Sequence, residues 1–184
     1  MKALILSSAL LLIAPVASAQ MVVVGNGDAQ NCYQSALTGN PGTIGAIKTC
    51  TRALNGDELL KKDVAATRVN RGVLLMRKGD YEKAEADYTV ALKLYPKLPE
   101  AHINYGVALY HQNRLTEAKA AFDTALETGS EKDALAYFNR ALVYERMEDA
   151  PAAYRDYKAA SELMPDWEQP QDAMARFTVT KRTS

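Results

Sequence analysis

The chain is 184 residues long, 48% hydrophobic, and balanced at 22 basic against 22 acidic residues. That length makes one domain the default. Neutral charge argues against a non-specific nucleic-acid binder, for which a basic excess is expected.

Residues 1–19 have the form of a secretory signal peptide. Lys2 supplies the positive start, Ala3–Val16 is an apolar run broken only by Ser7 and Ser8, and Ala17-Ser18-Ala19 is a small-residue cleavage site. The run is too short to span a bilayer, and no cysteine stands at the cleavage point as a lipoprotein signal requires. The mature chain is expected to begin at Gln20. This places the protein in the periplasm or outside the cell, without direct membrane insertion, since no later stretch could cross a bilayer.

Residues 20–27 read as a flexible N-terminal arm. Met21–Val24 is a β-prone apolar run ended by Gly25-Asn26-Gly27. It either frays, as chain ends do, or docks into a groove of its own or a neighbouring molecule. No strand-loop-helix frame surrounds the glycines, so they form no phosphate loop.

Residues 28–62 read as a helical hairpin: Asn31–Leu37 as one helix, Asn40-Pro41-Gly42 as the turn, Thr43–Leu54 as the second helix. Cys32 and Cys50, the two cysteines of the chain, fall on its two helices. An even count in an exported chain points to a disulfide. Two cysteines without a nearby histidine make a poor zinc set, and no C-x-x-C is present.

The next three segments, 64–97, 98–131 and 133–166, repeat one pattern. Small residues fall at Gly72, Gly106 and Ala141, at steps of 34 and 35. Ala84, Ala118 and Ala153 keep the same steps, as do Tyr88, Phe122 and Tyr157, and Ala91, Ala125 and Ala160. Within a unit the spacing is i, i+4, i+7, so each unit is predicted to be two helices. Lys78-Gly79-Asp80, Gln112-Asn113-Arg114 and Met147-Glu148-Asp149 are the turns between them. Asp80 is expected to cap the second helix of its unit, and Ser130 with Asp133 forms a weak capping box. Pro96 and Pro165 end the second helices. The small residues are expected to let paired helices approach opposite the alanines, with the aromatics filling the gap toward the next hairpin.

This pattern resembles the tetratricopeptide repeat family. The large-small pairs are Arg71-Gly72, Tyr105-Gly106 and Arg140-Ala141, followed by Leu75, Leu109 and Tyr144. The tryptophan slot departs from the family, holding Arg68, His102 and Tyr137, and Ser130 replaces the second proline. Ala46, Cys50 and Ala53 make the 28–62 hairpin resemble a degenerate first repeat. The resemblance implies an all-α solenoid of helix-turn-helix hairpins, closed by residues 167–184. Within that stretch Gln171–Phe177 is read as a capping helix, Trp167 as packed over the last repeat, and Thr178–Ser184 as a loose tail.

The resemblance also implies a concave groove lined by the first helix of each unit. The residues expected there are Val69, Asn70, Val73, Met76 and Arg77; Ile103, Asn104, Val107, Tyr110 and His111; and Phe138, Asn139, Leu142 and Arg146. Glu145 faces the same way. Asparagine at one recurring slot suits a peptide main chain, with two donors and an acceptor, and equally suits a purely local backbone role. The floor is apolar, with Arg77, Arg146 and His111 at the side, which fits an apolar peptide or helix carrying some negative charge. The carboxylate-clamp type needs basic residues where Val69 and Phe138 stand, so that activity is not carried over. No G-x-S-x-G, H-E-x-x-H or Walker loop is present. His102 and His111 lie about two and a half turns apart, on different faces. The expected protein is an adaptor with a protein partner, no catalytic residues, no metal and no cofactor. The alternative is a self-assembling structural module that uses its arm or its cap.

Overall fold

The computed structural model describes residues 2–6, 27–38, 43–56 and 59–181. Helices α1 (Gly27–Thr38) and α2 (Thr43–Asn55) form a first hairpin. Three more follow: α3 (Lys61–Lys78) with α4 (Tyr81–Leu94), α5 (Pro99–His111) with α6 (Leu115–Thr128), and α7 (Asp133–Arg146) with α8 (Ala150–Leu163). A ninth helix, α9 (Glu168–Ala175), lies on α8. Each helix of the four hairpins packs on the next in sequence, and first helices of successive hairpins also touch: α1 on α3, α3 on α5, α5 on α7. The second helices make no comparable contact with one another among the described residues. The result is an all-α solenoid whose first helices form the closely spaced inner row.

The repeat has a physical origin at each turn. Gly79, Asn113 and Glu148 all take the left-handed conformation, at φ of 85°, 62° and 61°. In each case the next residue's amide reaches back to the helix end: Asp80 to the Leu75 carbonyl at 3.0 Å, Arg114 to Leu109 at 3.0 Å and Asp149 to Tyr144 at 2.9 Å. This six-to-one bond satisfies carbonyls that the first helix would otherwise leave open. Asp80 does not cap α4 with its side chain. Lys78 and Lys83 pair with its carboxylate instead, at 2.7 and 3.5 Å. In the third unit Asp149 does make the cap, accepting from the Ala152 amide at 3.1 Å. Before α7, the Ser130 amide donates to Asp133 and the Lys132 amide to the Ser130 hydroxyl.

The small residues work differently from the sequence expectation. A methyl group added at Gly106 would stand 2.7 Å from Cε1 and 2.8 Å from Cζ of Phe122 in the same hairpin. At Gly72 it would stand 2.7 Å from Cζ of Tyr88 and closer still to Cε1. The glycines are therefore seats for the aromatic rings of their own unit, not simply points of approach opposite alanines. The rings of Tyr88, Phe122 and Tyr157 are fully buried, and aromatic rings bury more area than any aliphatic side chain.

Cys32 and Cys50 form a disulfide with Cα atoms 4.8 Å apart, joining α1 to α2. Both are fully buried beside Ala36 and Leu74. The Asn40-Pro41-Gly42 turn and residues 7–26 lie outside the described residues. α1 begins at Gly27 and not at Asn31, and α9 begins at Glu168 and not at Gln171. The largest difference is at the two ends of the chain. Lys2–Leu6, expected to stand apart from the fold, is a strand, β1, and Phe177–Lys181, expected in part to be loose tail, is a strand, β2. They pair antiparallel, with Leu6 opposite Phe177 and Lys2 opposite Lys181. The β-branched run Thr178-Val179-Thr180 favours an extended backbone, and pairing satisfies its polar groups.

Candidate functional site

The site expected from sequence is a wall made by α3, α5 and α7. The structure sets its residues in two classes. Val69, Asn70, Ile103 and Asn104 are fully buried; Val73, Met76, Val107, Phe138 and Asn139 are no more than 6% exposed. Tyr110, His111, Leu142 and Glu145 are half-buried, and Arg77 and Arg146 are exposed. Val69, Met76, Ile103 and Val107 belong to one apolar cluster that runs through α3, α5 and α7. Phe138 belongs to another. Its ring lies 4.7 Å from that of Trp167 and 5.3 Å from that of Tyr157. The C-terminal cap therefore covers Phe138, and Trp167 packs over the last repeat.

Asn104 has the least usual environment of these. It is fully buried on α5, yet neither the oxygen nor the nitrogen of its amide has a hydrogen-bond partner. Leaving a buried polar group unsatisfied costs roughly 1–3 kcal/mol, and native proteins hold few such groups. A neighbouring extended main chain could satisfy both atoms at once.

The rim is cationic and aromatic. Arg146 donates to the Asn113 side chain at 2.6 Å and its guanidinium lies 5.5 Å from the Tyr110 ring centre. His111 stacks on Tyr81, with ring centres 4.7 Å apart, and burial lowers its pKa. His102 is turned away from this rim, its Nε2 2.8 Å from the Pro96 carbonyl oxygen. Glu145 is spoken for: it accepts from the Tyr157 hydroxyl at 2.7 Å and from Arg176 at 2.6 Å, tying the cap to the last repeat. Burial, reinforced by Glu145, pushes the Tyr157 hydroxyl far up in pKa.

A second concavity, missed from sequence, lies between α2, α3 and α4. It encloses about 330 Å³ and is lined by Ile47, Leu75 and Ala86 with Arg68, Arg71, Lys83, Asp87 and Thr51. Its arginines are committed to structure. Arg71 holds Asp87 through two bonds of 2.7 Å, and Arg68 holds it at 2.8 Å. Arg68 and Arg71 lie three residues apart on α3, and the aspartate that engages both comes from α4. Among the described residues no three His, Cys, Asp or Glu side chains stand close enough to hold a metal ion. No helix there is long and apolar enough to cross a membrane.

Residues 69–131 match the family model described as tetratricopeptide repeat. No curated protein is matched in sequence. Several solved structures share the fold. Pseudomonas aeruginosa PilF aligns at a TM-score of 0.71 and 21% identity, over 80% of this chain and 64% of that one. The Arabidopsis OM64 TPR domain aligns at 0.61 and 20%, over 64% of this chain and 96% of that one. The first TPR of Spaghetti (RPAP3), solved bound to the HSP90 peptide SRMEEVD, aligns at 0.59 and 19%, over 62% of this chain and 90% of that one. At these identities the likeness is one of fold.

Proposed function

Residues 69–131 belong to the tetratricopeptide repeat family, and from that premise we propose that this protein is an exported interaction adaptor. It holds a segment of another protein against the inner row of helices. Repeat solenoids present extended concave surfaces of this kind, and their work is in general binding and not catalysis.

The observation that carries the reading is Asn104. A buried amide with both polar atoms free, flanked along α5 by Ile103 and Val107, suits the main chain of an extended apolar segment. Arg77 and Arg146, exposed on α3 and α7, give the rim a preference for negative charge at one end of that segment. The peptide SRMEEVD on the Spaghetti domain is not carried over, because Val69 and Phe138 stand where a carboxylate clamp needs cations. Export is supported by the leader-like start of the sequence and by the buried disulfide, which persists in oxidising compartments. Cleavage after Ala19 would remove β1 and leave β2 without its partner strand.

The test is crosslinking in intact cells from a photoreactive residue at Tyr110, compared with Arg77→Glu and Arg146→Glu. Both arginines are exposed, and circular dichroism of each variant checks that the fold is kept. The expected result is loss of the crosslinked partner. A partner retained by both variants removes the groove. N-terminal sequencing of the protein from the cell envelope is expected to begin at Gln20; a start at Met1 removes export by this leader.

A further inference from the structure

We propose that the hollow between α2, α3 and α4 binds a small organic carboxylate, with its charged end on Arg68 and Lys83 and its apolar body on Ile47, Leu75 and Ala86. The site is separate from the groove, since two second helices and only one first helix line it.

The α7–α8 hairpin contains the same device with one more carboxylate. Arg140 holds Asp156 through Nε at 2.7 Å and Nη2 at 3.0 Å, and its Nη1 reaches back to the Asp123 carboxylate at 2.6 Å. Arg71 uses the same three nitrogens. Nε and Nη2 hold Asp87 at 2.7 Å, and Nη1 reaches back to the Thr51 hydroxyl at 3.0 Å. A neutral hydroxyl thus stands where the later hairpin has an anion. The space differs as well. Tyr137 and Tyr144 set their rings 5.4 and 5.9 Å from the Arg140 guanidinium. Leu75 takes the repeat slot of Tyr144, and beside this smaller side chain the hollow of about 330 Å³ opens.

The charge of the lining is unbalanced. Arg68, Arg71 and Lys83 face the single carboxylate of Asp87. Asp87 bonds to both arginines, so it fixes two guanidinium groups and neutralises one. Lys83 comes no nearer than 3.5 Å to Asp80, which Lys78 engages at 2.7 Å. Arg68 Nε is buried without a hydrogen-bond partner. A guanidinium held in this way suits a carboxylate, and its prior fixing lowers the ordering that binding costs. At the roughly 30 Å³ that a water takes in the liquid, 330 Å³ admits about ten non-hydrogen atoms. The walls are helix sides, whose main-chain groups are already paired. They offer little to a peptide backbone, which favours a free acid with an apolar body.

The experiment titrates phenylacetate, an acid of that size, into the oxidised full chain labelled with ¹⁵N. Saturable shifts are expected at the amides of Thr51, Leu75 and Asp87 and at the Arg68 Nε–H, which gains an acceptor. Phenylacetamide, the neutral isostere, and inorganic phosphate, which has no apolar body, are each expected to bind at least about tenfold more weakly. Thr51→Asp copies the carboxylate of Asp123 and is expected to abolish binding with the circular dichroism unchanged. Lys83→Gln alters a side chain that is 73% exposed and is expected to weaken binding about threefold. The proposal is overturned if no saturable shift reaches these groups, or if phenylacetamide or phosphate binds as tightly as phenylacetate. It is also overturned if both variants bind as the native chain does. The acetylated and amidated tripeptide Leu-Glu-Leu tests the other source of a carboxylate; binding there about tenfold tighter than phenylacetate assigns the hollow to a protein side chain and overturns the free acid. None of these outcomes touches the groove reading, which Arg77→Glu and Arg146→Glu test independently.

Discussion

Replacing Gly106 by alanine isolates the contact that organises each repeat. In an exposed helix interior the change would stabilise by about 1 kcal/mol, because glycine is the poorer helix former. Here the new methyl would lie 2.7, 2.8 and 3.0 Å from three atoms of the Phe122 ring. Carbon atoms in contact rest at about 3.5–4.0 Å, so the ring must withdraw by nearly 1 Å. It has nowhere to go, since Phe122 is fully buried among Ala118, Ala121 and Ala125. Overpacking of this kind costs about 1–3 kcal/mol, and three simultaneous contacts with a rigid ring put it at the upper end. The net expectation is a loss of about 2 kcal/mol. Gly45→Ala in α2 is the control, because nothing lies within 4 Å of its added methyl; it should gain about 0.5–1 kcal/mol. Urea unfolding followed by circular dichroism measures both, with m unchanged. Phe122→Leu in the Gly106→Ala background should recover about 1–2 kcal/mol of coupling. A Gly106→Ala protein as stable as Gly45→Ala would refute the seat-and-ring account of the repeat.

Four other contacts give outcomes of the same kind. The Tyr88 hydroxyl is buried without a partner whereas that of Tyr157 donates to Glu145; Tyr88→Phe should stabilise by about 1 kcal/mol and Tyr157→Phe should destabilise by about 1–2 kcal/mol in the same urea assay. Cys32→Ala with Cys50→Ala opens a loop of separation 18 and should cost about 3 kcal/mol, matched by the effect of reductant on the native chain. Glu148 holds a left-handed conformation that costs a side-chain-bearing residue about 1–2 kcal/mol; Glu148→Gly should gain about 0.5–1 kcal/mol once the larger entropy of unfolded glycine is subtracted, read as a higher melting temperature. Burial depresses the pKa of His111, so the unfolded chain takes up a proton first as pH falls. The stability held above about pH 6.5 is then lost as pH drops toward the lower folded value, and His111→Phe should flatten that slope in unfolding curves between pH 5 and 8.

The period was readable because a solenoid writes each hairpin in the same register. Gly72, Gly106 and Ala141 fix the phase, and the turns at Gly79, Asn113 and Glu148 share one backbone conformation despite three different side chains. Which atoms meet was harder to read. Helical spacing put Gly72 and Ala84 on facing surfaces, but it does not say that the Tyr88 ring, four residues on, leans over the glycine. The capping helix was expected at Gln171–Phe177 and runs from Glu168 to Ala175; Trp167 was assigned to the last repeat, yet its contact with Phe138 takes that residue out of any open floor. The strand pair at the chain ends was illegible because its halves lie some 170 residues apart: Phe177–Lys181 alternates apolar and polar residues, but that pattern does not name Lys2–Leu6 as its partner. The groove residues were chosen by angle around a helix. Angle cannot report burial, which depends on what else lies over the same surface.

The arginines show what holds the hairpins in register. A stack of alanine-rich faces such as Ala84, Ala91, Ala118 and Ala125 would slide, since small apolar contacts are not directional. Each junction carries a guanidinium that crosses it. Arg71 binds Asp87 in its own hairpin and Thr51 in the hairpin before. Arg140 repeats the device, binding Asp156 at the same separation of 16 and reaching back to Asp123 at 2.6 Å. The middle unit has Tyr105 in that slot, and there Arg114 crosses instead, to Glu85 at 2.8 Å. Arg176 crosses from the cap to Glu145. Buried ion pairs contribute little net stability over apolar packing, but a planar fork with two or three fixed partners tolerates few alternative alignments. Because every repeat contacts only its neighbours, each of these four crossings fixes the alignment of one junction. Arg71 on α3 and Arg140 on α7 reach across to carboxylates on the second helices, Asp87 and Asp156, so the directional contacts run between the two helices of their hairpins and between neighbouring hairpins.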